Sequence, residues 1–235
     1  MKTLTILKTG DVPAPLRHRF APYPSMFEKM FDGVGAGLTY RTVAVNENEP
    51  LPDPETLDAV LITGSSAGVY EDHSWLEPLR HFIRSAYAAN TPMLGVCFGH
   101  QVMADALGGV VRKSEKGWGL GRHHYAVGHR PAFMATAPDR LAIACSHQDQ
   151  VIEAPASAEV ILGSAFTPNA GLVYRNGAAL SLQPHPEFDD DYAQALVELR
   201  RGRAADAVVE TALGSFAQPS HSADAAAYLA AFLNR

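Results

Sequence analysis

Short apolar runs alternate with helical patterns along the first half of the chain. Residues 3–9, 39–45 and 59–63 are short runs rich in β-branched side chains, each typical of a buried strand. Residues 25–31 and 74–89 instead carry apolar side chains at helical spacing. Strands that alternate with helices predict an α/β fold with a largely parallel sheet.

The alternation continues to a sharp junction and then changes character. Residues 92–96 predict a buried strand that runs directly into a helix over 98–107. Residues 110–182 contain several short strand-like runs separated by Gly, Pro and Asn, so we expect hairpins at a sheet edge together with strands that return to the core. Helical patterns resume after Pro186.

Composition is that of an ordinary globular protein. The 235 residues are 47% hydrophobic and 19% charged, so we expect one domain over residues 1–235. The formal net charge is -6 and basic residues form no stripe, so no nucleic-acid or membrane partner is expected. The start lacks the long apolar segment of a secretory signal, and the two cysteines form no C-x-x-C pair, so we expect a cytoplasmic protein with free thiols.

The clearest local signal is the sequence GVCFG, in which Cys97 lies at the junction of the predicted strand and helix. Gly95 and Gly99 leave room for a tight turn, an arrangement typical of a nucleophile elbow. At the start of a helix the positive end of the dipole favours thiolate over thiol, and backbone N–H groups are available to an oxyanion. Cys97 is therefore a candidate nucleophile. The alternative is an inert buried cysteine, which we expect Cys145 to be.

A second signal follows the predicted strand over 178–182. In the sequence QPHPEF each proline favours extended backbone in the residue before it. Residues two apart in extended backbone point to the same side, so Glu187 is placed to orient His185. His185 is then a candidate base that takes the Cys97 proton and later delivers it to a leaving nitrogen. A solvated His-Glu pair in a loop is the alternative.

Together, G-V-C-F-G-H-Q and the later H-P-E resemble the class I, or triad, glutamine amidotransferases, and within them the GMP-synthase-like branch. The resemblance extends from the first strand to about Phe188. It implies a flavodoxin-like three-layer sandwich with a mostly parallel central sheet and an added antiparallel hairpin region. It also implies that Cys97, His185 and Glu187 hydrolyse a γ-glutamyl amide through a γ-glutamyl thioester. The implied substrate is glutamine or a γ-glutamyl small molecule, and no cofactor is implied.

The resemblance implies further roles outside this triad. The I-T-G-S-S segment is similar to the family's glycine loop, so Gly64, Ser65 and the N–H of Phe98 are candidate oxyanion donors. The family's usual glycine pair is here Gly64-Ser65. The S-H-Q-D segment is similar to the family's Ser-His-x-Asp segment, which helps hold the backbone groups of glutamine. The candidate substrate-binding residues are Gln101, Ser146, His147 and Gln148.

The leaving group stays open at this point. Some similar stand-alone members are γ-glutamyl peptidases that act on glutathione-like conjugates, so a γ-glutamyl peptide is an alternative to glutamine. We expect no synthetase domain after Phe188, so an amidotransferase subunit would need a separate synthetase chain as its partner. Loop position marks residues 20–31 and 117–125 as candidate pocket walls.

Other chemistries fit the sequence less well. Neither an H-x-x-x-H helix signature nor Cys2His2 spacing accompanies the ten histidines, so no metal site is expected. The G-V-G-A-G run at 33–37 precedes a strand instead of opening a helix, which argues against a dinucleotide site. A cysteine α/β-hydrolase normally places its acid before the histidine, whereas Glu187 follows His185. An interaction protein without turnover is the non-enzyme alternative.

Overall fold

The computed structural model describes all 235 residues, in eleven strands and six α-helices. The strands are β1 (Thr3–Lys8), β2 (Thr39–Ala44), β3 (Ala59–Ile62), β4 (Met93–Val96), β5 (Val110–Lys113), β6 (Gly119–Val127), β7 (Arg140–His147), β8 (Asp149–Glu153), β9 (Ala158–Gly163), β10 (Gly171–Tyr174) and β11 (Ala179–Leu182). The helices are α1 (Tyr23–Gly33), α2 (Leu76–Ala89), α3 (Phe98–Ala106), α4 (Asp190–Glu198), α5 (Asp206–Ser215) and α6 (Ser222–Leu233).

Nine strands form one mixed sheet in the order β2-β1-β3-β4-β11-β10-β9-β6-β7. The first five are parallel to their neighbours, whereas the remaining strands pair antiparallel. β5 and β8 form a separate antiparallel pair. The parallel half has the strand order of flavodoxin-like folds. The predicted α/β fold, with a parallel core and an added antiparallel region, is confirmed.

Alternate side chains of the central strands pack against helices on opposite faces of the sheet. Leu4 and Ile6 of β1 belong to the same core as Phe27 of α1 and Leu229 of α6. Leu7 of β1 instead belongs to the core that α2 and α3 complete. Because β3 and β4 at the centre of the parallel half are covered on both faces, their sequences are continuous apolar runs. The sheet is therefore held between two helical layers, and the loops at its carboxyl edge have a rigid base.

The strand register brings three loops of that edge together. β11 pairs with β4 so that Leu182 lies opposite Val96, and the Cys97 N–H donates to the Leu182 carbonyl at 2.8 Å. On the other side of β4, Ile62 of β3 lies opposite Gly95. The residues that follow β3, β4 and β11 therefore meet at one point, at the edge where α/β sheets bind ligands.

Three helices follow the last strand. Asp189 begins α4 by accepting a hydrogen bond from the Tyr192 N–H at 2.9 Å, a role that aspartate favours. α5 packs closely on β6, because a Cβ at Gly121 would lie 2.7 Å from the Ala212 Cα. None of the helices combines the length and apolar character that a membrane span requires.

Candidate active site

Cys97 lies between β4 and α3 in a backbone conformation that side chains rarely adopt, with φ 54 and ψ -102. The neighbouring glycines make this turn possible. A Cβ at Gly99 would lie 2.2 Å from the Ile62 carbonyl oxygen, and one at Gly95 would lie 2.5 Å from the Met103 sulfur. Strain of this kind costs roughly 1–3 kcal/mol and is concentrated at functional sites. The chain thus makes the tight strand–turn–helix that the glycines predict.

His185 and Glu187 form a buried pair beside Cys97. The Nδ1 atom of His185 lies 2.7 Å from Oε1 of Glu187. The backbone N–H of His185 donates to the Ala144 carbonyl of β7 at 2.8 Å, and this hydrogen bond fixes the loop after β11. The imidazole also stacks on the Phe188 ring, with centroids 3.9 Å apart and an angle of 7° between the planes. Since Nδ1 is occupied by Glu187, Nε2 is left for the sulfur.

The protonation of His185 is set by burial and by two neighbouring acids. Burial lowers the pKa of His185, but the charges of Glu187 and Cys97, with their hydrogen bonds, outweigh it and raise that pKa to about 10. An imidazolium is therefore present at neutral pH when the sulfur is a thiolate. This cation beside a cysteine at a helix N-terminus is the environment that activates sulfur nucleophiles.

The loop after β3 lies directly against this pair. A Cβ at Gly64 would lie 3.1 Å from Cε1 of His185 and 3.7 Å from Cβ of Cys97. The N–H groups of Gly64 and Ser65 donate no hydrogen bond within the protein. Phe98 is the first residue of α3, so its N–H has no acceptor within the helix. All three predicted oxyanion donors are thus N–H groups near Cys97 that an oxygen could accept from.

Two cavities meet at Cys97. The larger has a volume of about 550 Å³ and reaches past His185 to Tyr23. The smaller, of about 250 Å³, lies against the start of β8. All of the predicted substrate-binding residues line the smaller cavity, namely Gln101, Ser146, His147 and Gln148. No group of three or more His, Cys, Asp or Glu side chains is placed to hold a metal ion.

A family model described as glutamine amidotransferase class-I matches residues 27–197, more than two thirds of the chain. The chain belongs to this family. It is 28% identical over 160 residues to a glutamine amidotransferase-like protein of Schizosaccharomyces pombe, an alignment that covers 67% of this chain and 63% of that protein. It is 29% identical over 195 residues to gamma-glutamyl peptidase 4 of Arabidopsis thaliana, which covers 81% of this chain and 77% of the peptidase.

A GMP synthase of Aquifex aeolicus is also related, with 31% identity over 128 residues that cover 54% of this chain and 24% of the synthase. The crystal structure of a glutamine amidotransferase from Thermotoga maritima has the same fold, with a TM-score of 0.77, 21% identity and coverage of 100% of this chain and 97% of that one. The resemblance found in the sequence is thereby confirmed. Membership of this amidotransferase family and the peptidase relatives indicate a hydrolytic enzyme.

The predicted substrate-binding residues of this family member differ in how they are held. Gln101 donates from Nε2 to the Asp149 carbonyl at 2.9 Å and to Gln183 at 3.1 Å, so it also ties α3 to the Ser-His-Gln-Asp segment. The hydroxyl of Ser146 and Nε2 of His147 are buried without a partner. Burial above all lowers the pKa of His147 to about 3, so this imidazole is neutral. Two polar atoms therefore lie beside the smaller cavity with unused hydrogen-bonding capacity.

Several cavity residues are not singled out by the sequence. Tyr23 and Trp118 fall in the two segments marked as candidate walls, and each lines one cavity. The expectation that these segments are loops is wrong, because residues 23–31 belong to α1 and residues 119–125 to β6. Phe188, which stacks on the imidazole, directly follows the H-P-E motif that gave the site. Arg200 and Arg203 line both cavities, but a basic run after a helix is also what the helix dipole favours. Nothing in the sequence therefore separates these arginines from ordinary helix-end residues.

Proposed function

We propose that this protein hydrolyses a γ-glutamyl amide bond, with Cys97 as the nucleophile, His185 as the acid and base, and Glu187 as the residue that orients the imidazole. The observation that carries this proposal is the buried His185–Glu187 pair, 2.7 Å apart, beside a cysteine with φ 54 at the start of α3. Family membership supports the same reaction class.

In the first half of the reaction the Cys97 thiolate attacks the γ-carbonyl carbon, and the carbonyl π electrons move to the oxygen. The N–H groups of Gly64 or Ser65 and of Phe98 stabilise this oxyanion, and one such donor typically contributes about 3 kcal/mol. When the intermediate collapses, the C–N bond breaks and the leaving nitrogen takes a proton from His185. The products of this half are a free amine, or ammonia, and a γ-glutamyl thioester on sulfur.

In the second half the now neutral His185 takes a proton from water, and the water oxygen attacks the thioester carbon. The C–S bond breaks, glutamate leaves, and the thiolate–imidazolium pair is restored. Glu187 holds Nδ1 throughout, so Nε2 is the nitrogen that exchanges the proton. These steps require neither a metal nor an organic cofactor.

Trapping the thioester tests this mechanism directly. Hydroxylamine added during turnover of γ-glutamyl substrates should intercept the acyl-enzyme and give γ-glutamyl hydroxamate in place of part of the glutamate. Released amine should equal the sum of glutamate and hydroxamate. The Cys97→Ala variant, with an unchanged circular dichroism spectrum, should give neither product. Hydrolysis that continues in this variant, or that never yields hydroxamate, would contradict the proposal.

A further inference from the structure

Two arginines border the nucleophile without an acidic partner in the protein. Arg200 and Arg203 lie in the turn after α4, and both line each of the two cavities that contain Cys97. Neither forms an ion pair, and Nε of Arg200 is buried with no hydrogen-bond partner. Burial lowers the pKa of Arg200, because its guanidinium is partly removed from water. A partly desolvated cation without a counter-charge is costly, so an anionic partner at this position is favoured.

Arg201 lies between these two arginines in the sequence but does not share their position beside the cavities. Arg201 points away from the cavities and pairs with Glu198 at 2.5 Å and with Glu210 at 2.7 Å on the surface. Neighbouring arginine side chains of this turn therefore point in different directions. Within this turn, Arg200 and Arg203 border the site, and Arg201 provides a matched control with the same charge.

The acidic side chains that line the cavities already have partners. They are Asp11 in the larger cavity and Glu71 and Asp149 in the smaller one. Their partners are, in the same order, the Lys8 ammonium at 3.2 Å, the His73 imidazole at 2.9 Å and the Tyr70 hydroxyl at 2.8 Å. None of these three carboxylates forms an ion pair with Arg200 or Arg203.

Arg200 is held in a way that keeps its hydrogen-bonding edge available. Its Cζ atom lies 4.5 Å from the centroid of the Trp118 ring. Stacking on an indole fixes the guanidinium plane through cation–π attraction. The N–H donors at the edge of that plane remain unused, and their fork matches a carboxylate.

The two cavities also differ in size in a way that bears on the leaving group. A glutamyl group held beside His147 and Gln148 in the smaller cavity, as the proposed function has it, leaves the larger cavity for the leaving group. That cavity, of about 550 Å³, is far larger than an ammonia molecule, which is similar in size to a water with its roughly 30 Å³. It is within the size range of small-molecule pockets. A leaving group of several atoms fits this space better than ammonia does.

We infer that Arg200 and Arg203 bind a carboxylate on the leaving group, so that the substrate, given the proposed chemistry at Cys97, is a γ-glutamyl peptide with a free terminal carboxylate instead of glutamine. Both arginines lie beyond residues 27–197, the part of the chain that the family model matches.

Matched substrates test this subsite. A γ-glutamyl dipeptide with a free carboxylate, the same dipeptide with a terminal carboxamide, and glutamine are compared by kcat/KM. Wild-type protein should prefer the acid to the carboxamide by about tenfold or more, the worth of a charge-assisted hydrogen bond. Arg200→Gln should lose that preference because its kcat/KM falls for the acid dipeptide only. Arg203→Gln should show the same change to a smaller extent. Arg201→Gln should match wild type on all three.

Two kinetic results would overturn the inference. One is a wild type that does not distinguish the acid from the carboxamide. The other is an Arg200→Gln variant in which kcat/KM falls as much for glutamine as for the acid dipeptide. That result would mean that the arginine binds the glutamyl α-carboxylate, which both substrates share. Calorimetric binding of both dipeptides to Cys97→Ala separates the subsite from the chemistry. The subsite is supported if the acid dipeptide binds more tightly than the carboxamide and if adding Arg200→Gln abolishes that difference. This holds even when the wild type hydrolyses neither dipeptide, and in that case only the proposed reaction fails.

Discussion

Cys97 and Cys145 are both buried, with 5% and 3% of their surface exposed, yet their surroundings differ. Cys97 follows a strand at φ 54, begins a helix and lies beside His185. Cys145 lies within β7, opposite Gly121, where burial raises the pKa of its thiol to about 12. One sulfur lies beside a cation and N–H groups, and the other lies beside the neutral Tyr125 hydroxyl. Burial thus does not decide whether a thiol is inert, because the backbone conformation and the neighbouring charge differ between these two.

Replacing each cysteine by alanine gives the largest expected contrast. Cys97→Ala removes the proposed nucleophile, so kcat should fall by at least about 10⁴-fold. Cys145→Ala leaves a small gap inside the sheet, so it should lower the free energy of unfolding by roughly 1–3 kcal/mol while kcat stays near that of wild type. Glutamate release and urea unfolding measure the two effects. A Cys145→Ala protein that is folded but inactive would reverse the roles assigned to the two thiols.

Removing the imidazole should have the next largest effect. His185→Gln keeps a polar side chain of similar size but cannot carry the proton between sulfur and the leaving nitrogen. We expect a loss of about 10²–10⁴-fold in kcat. His100 provides the control, because it is also fully buried, bonds Ser181 at 2.8 Å and lies in α3 without lining either cavity. If His100→Gln, when folded, lost as much activity as His185→Gln, the proton-transfer role would not be specific to His185.

Neutralising the orienting carboxylate should cost less than removing the imidazole. Glu187→Gln retains a hydrogen-bond partner for Nδ1 but removes the charge that raises the pKa of His185. The loss in kcat should be about 10–100-fold smaller than for His185→Gln. Steady-state kinetics on the same γ-glutamyl substrate measures both variants. Equal losses would indicate that Glu187 takes part in proton transfer instead of positioning.

The nucleophile turn is predictable from sequence because its requirements are local. Gly95 and Gly99 flank Cys97, and each glycine is needed where added atoms would collide with the adjacent strand or helix. The pairing of His185 with Glu187 is local as well, because the two residues are only two positions apart. The extended backbone that the prolines predict is wrong, since Pro186 and Glu187 form a turn in which the Phe188 N–H donates to the His185 carbonyl at 3.4 Å. The parallel half of the sheet is predictable for the same reason, because its apolar runs carry the signal strand by strand.

The remaining features of the fold and of the candidate site depend on contacts between distant parts of the chain. The order β10-β9-β6-β7 follows from pairing that no single segment specifies. Arg200 reaches the cavity because α4 packs back across the site and brings the arginine onto Trp118, which comes from the loop before β6. Phe188 lies under the imidazole for a similar reason, since Tyr192 of α4 packs edge-on against it with centroids 4.6 Å apart. The sequence periodicity predicts that helix α4 forms, but it does not predict the direction in which that helix packs.

The protonation of the imidazole beside Cys97 provides the finest test of the contrast between the two cysteines. The raised pKa of His185, about 10, keeps the imidazolium present from pH 6.5 to 9. In a nuclear magnetic resonance titration, the ring protons of His185 should therefore keep the chemical shifts of an imidazolium over that range. Cys145, with its pKa raised to about 12 by burial, should resist iodoacetamide until the protein unfolds.

Glu187→Gln sharpens this measurement. Loss of the carboxylate charge lowers the pKa of His185, so the imidazole should lose its proton at a lower pH than in wild type. The ring-proton shifts of His185 should then move toward those of a neutral imidazole within the range where the wild-type shifts stay constant. The resonance is assigned by its absence from the spectrum of His185→Gln. A wild-type imidazole that titrates near the ordinary histidine value of about 6.5 would mean that the cation proposed to activate the sulfur is not present at neutral pH.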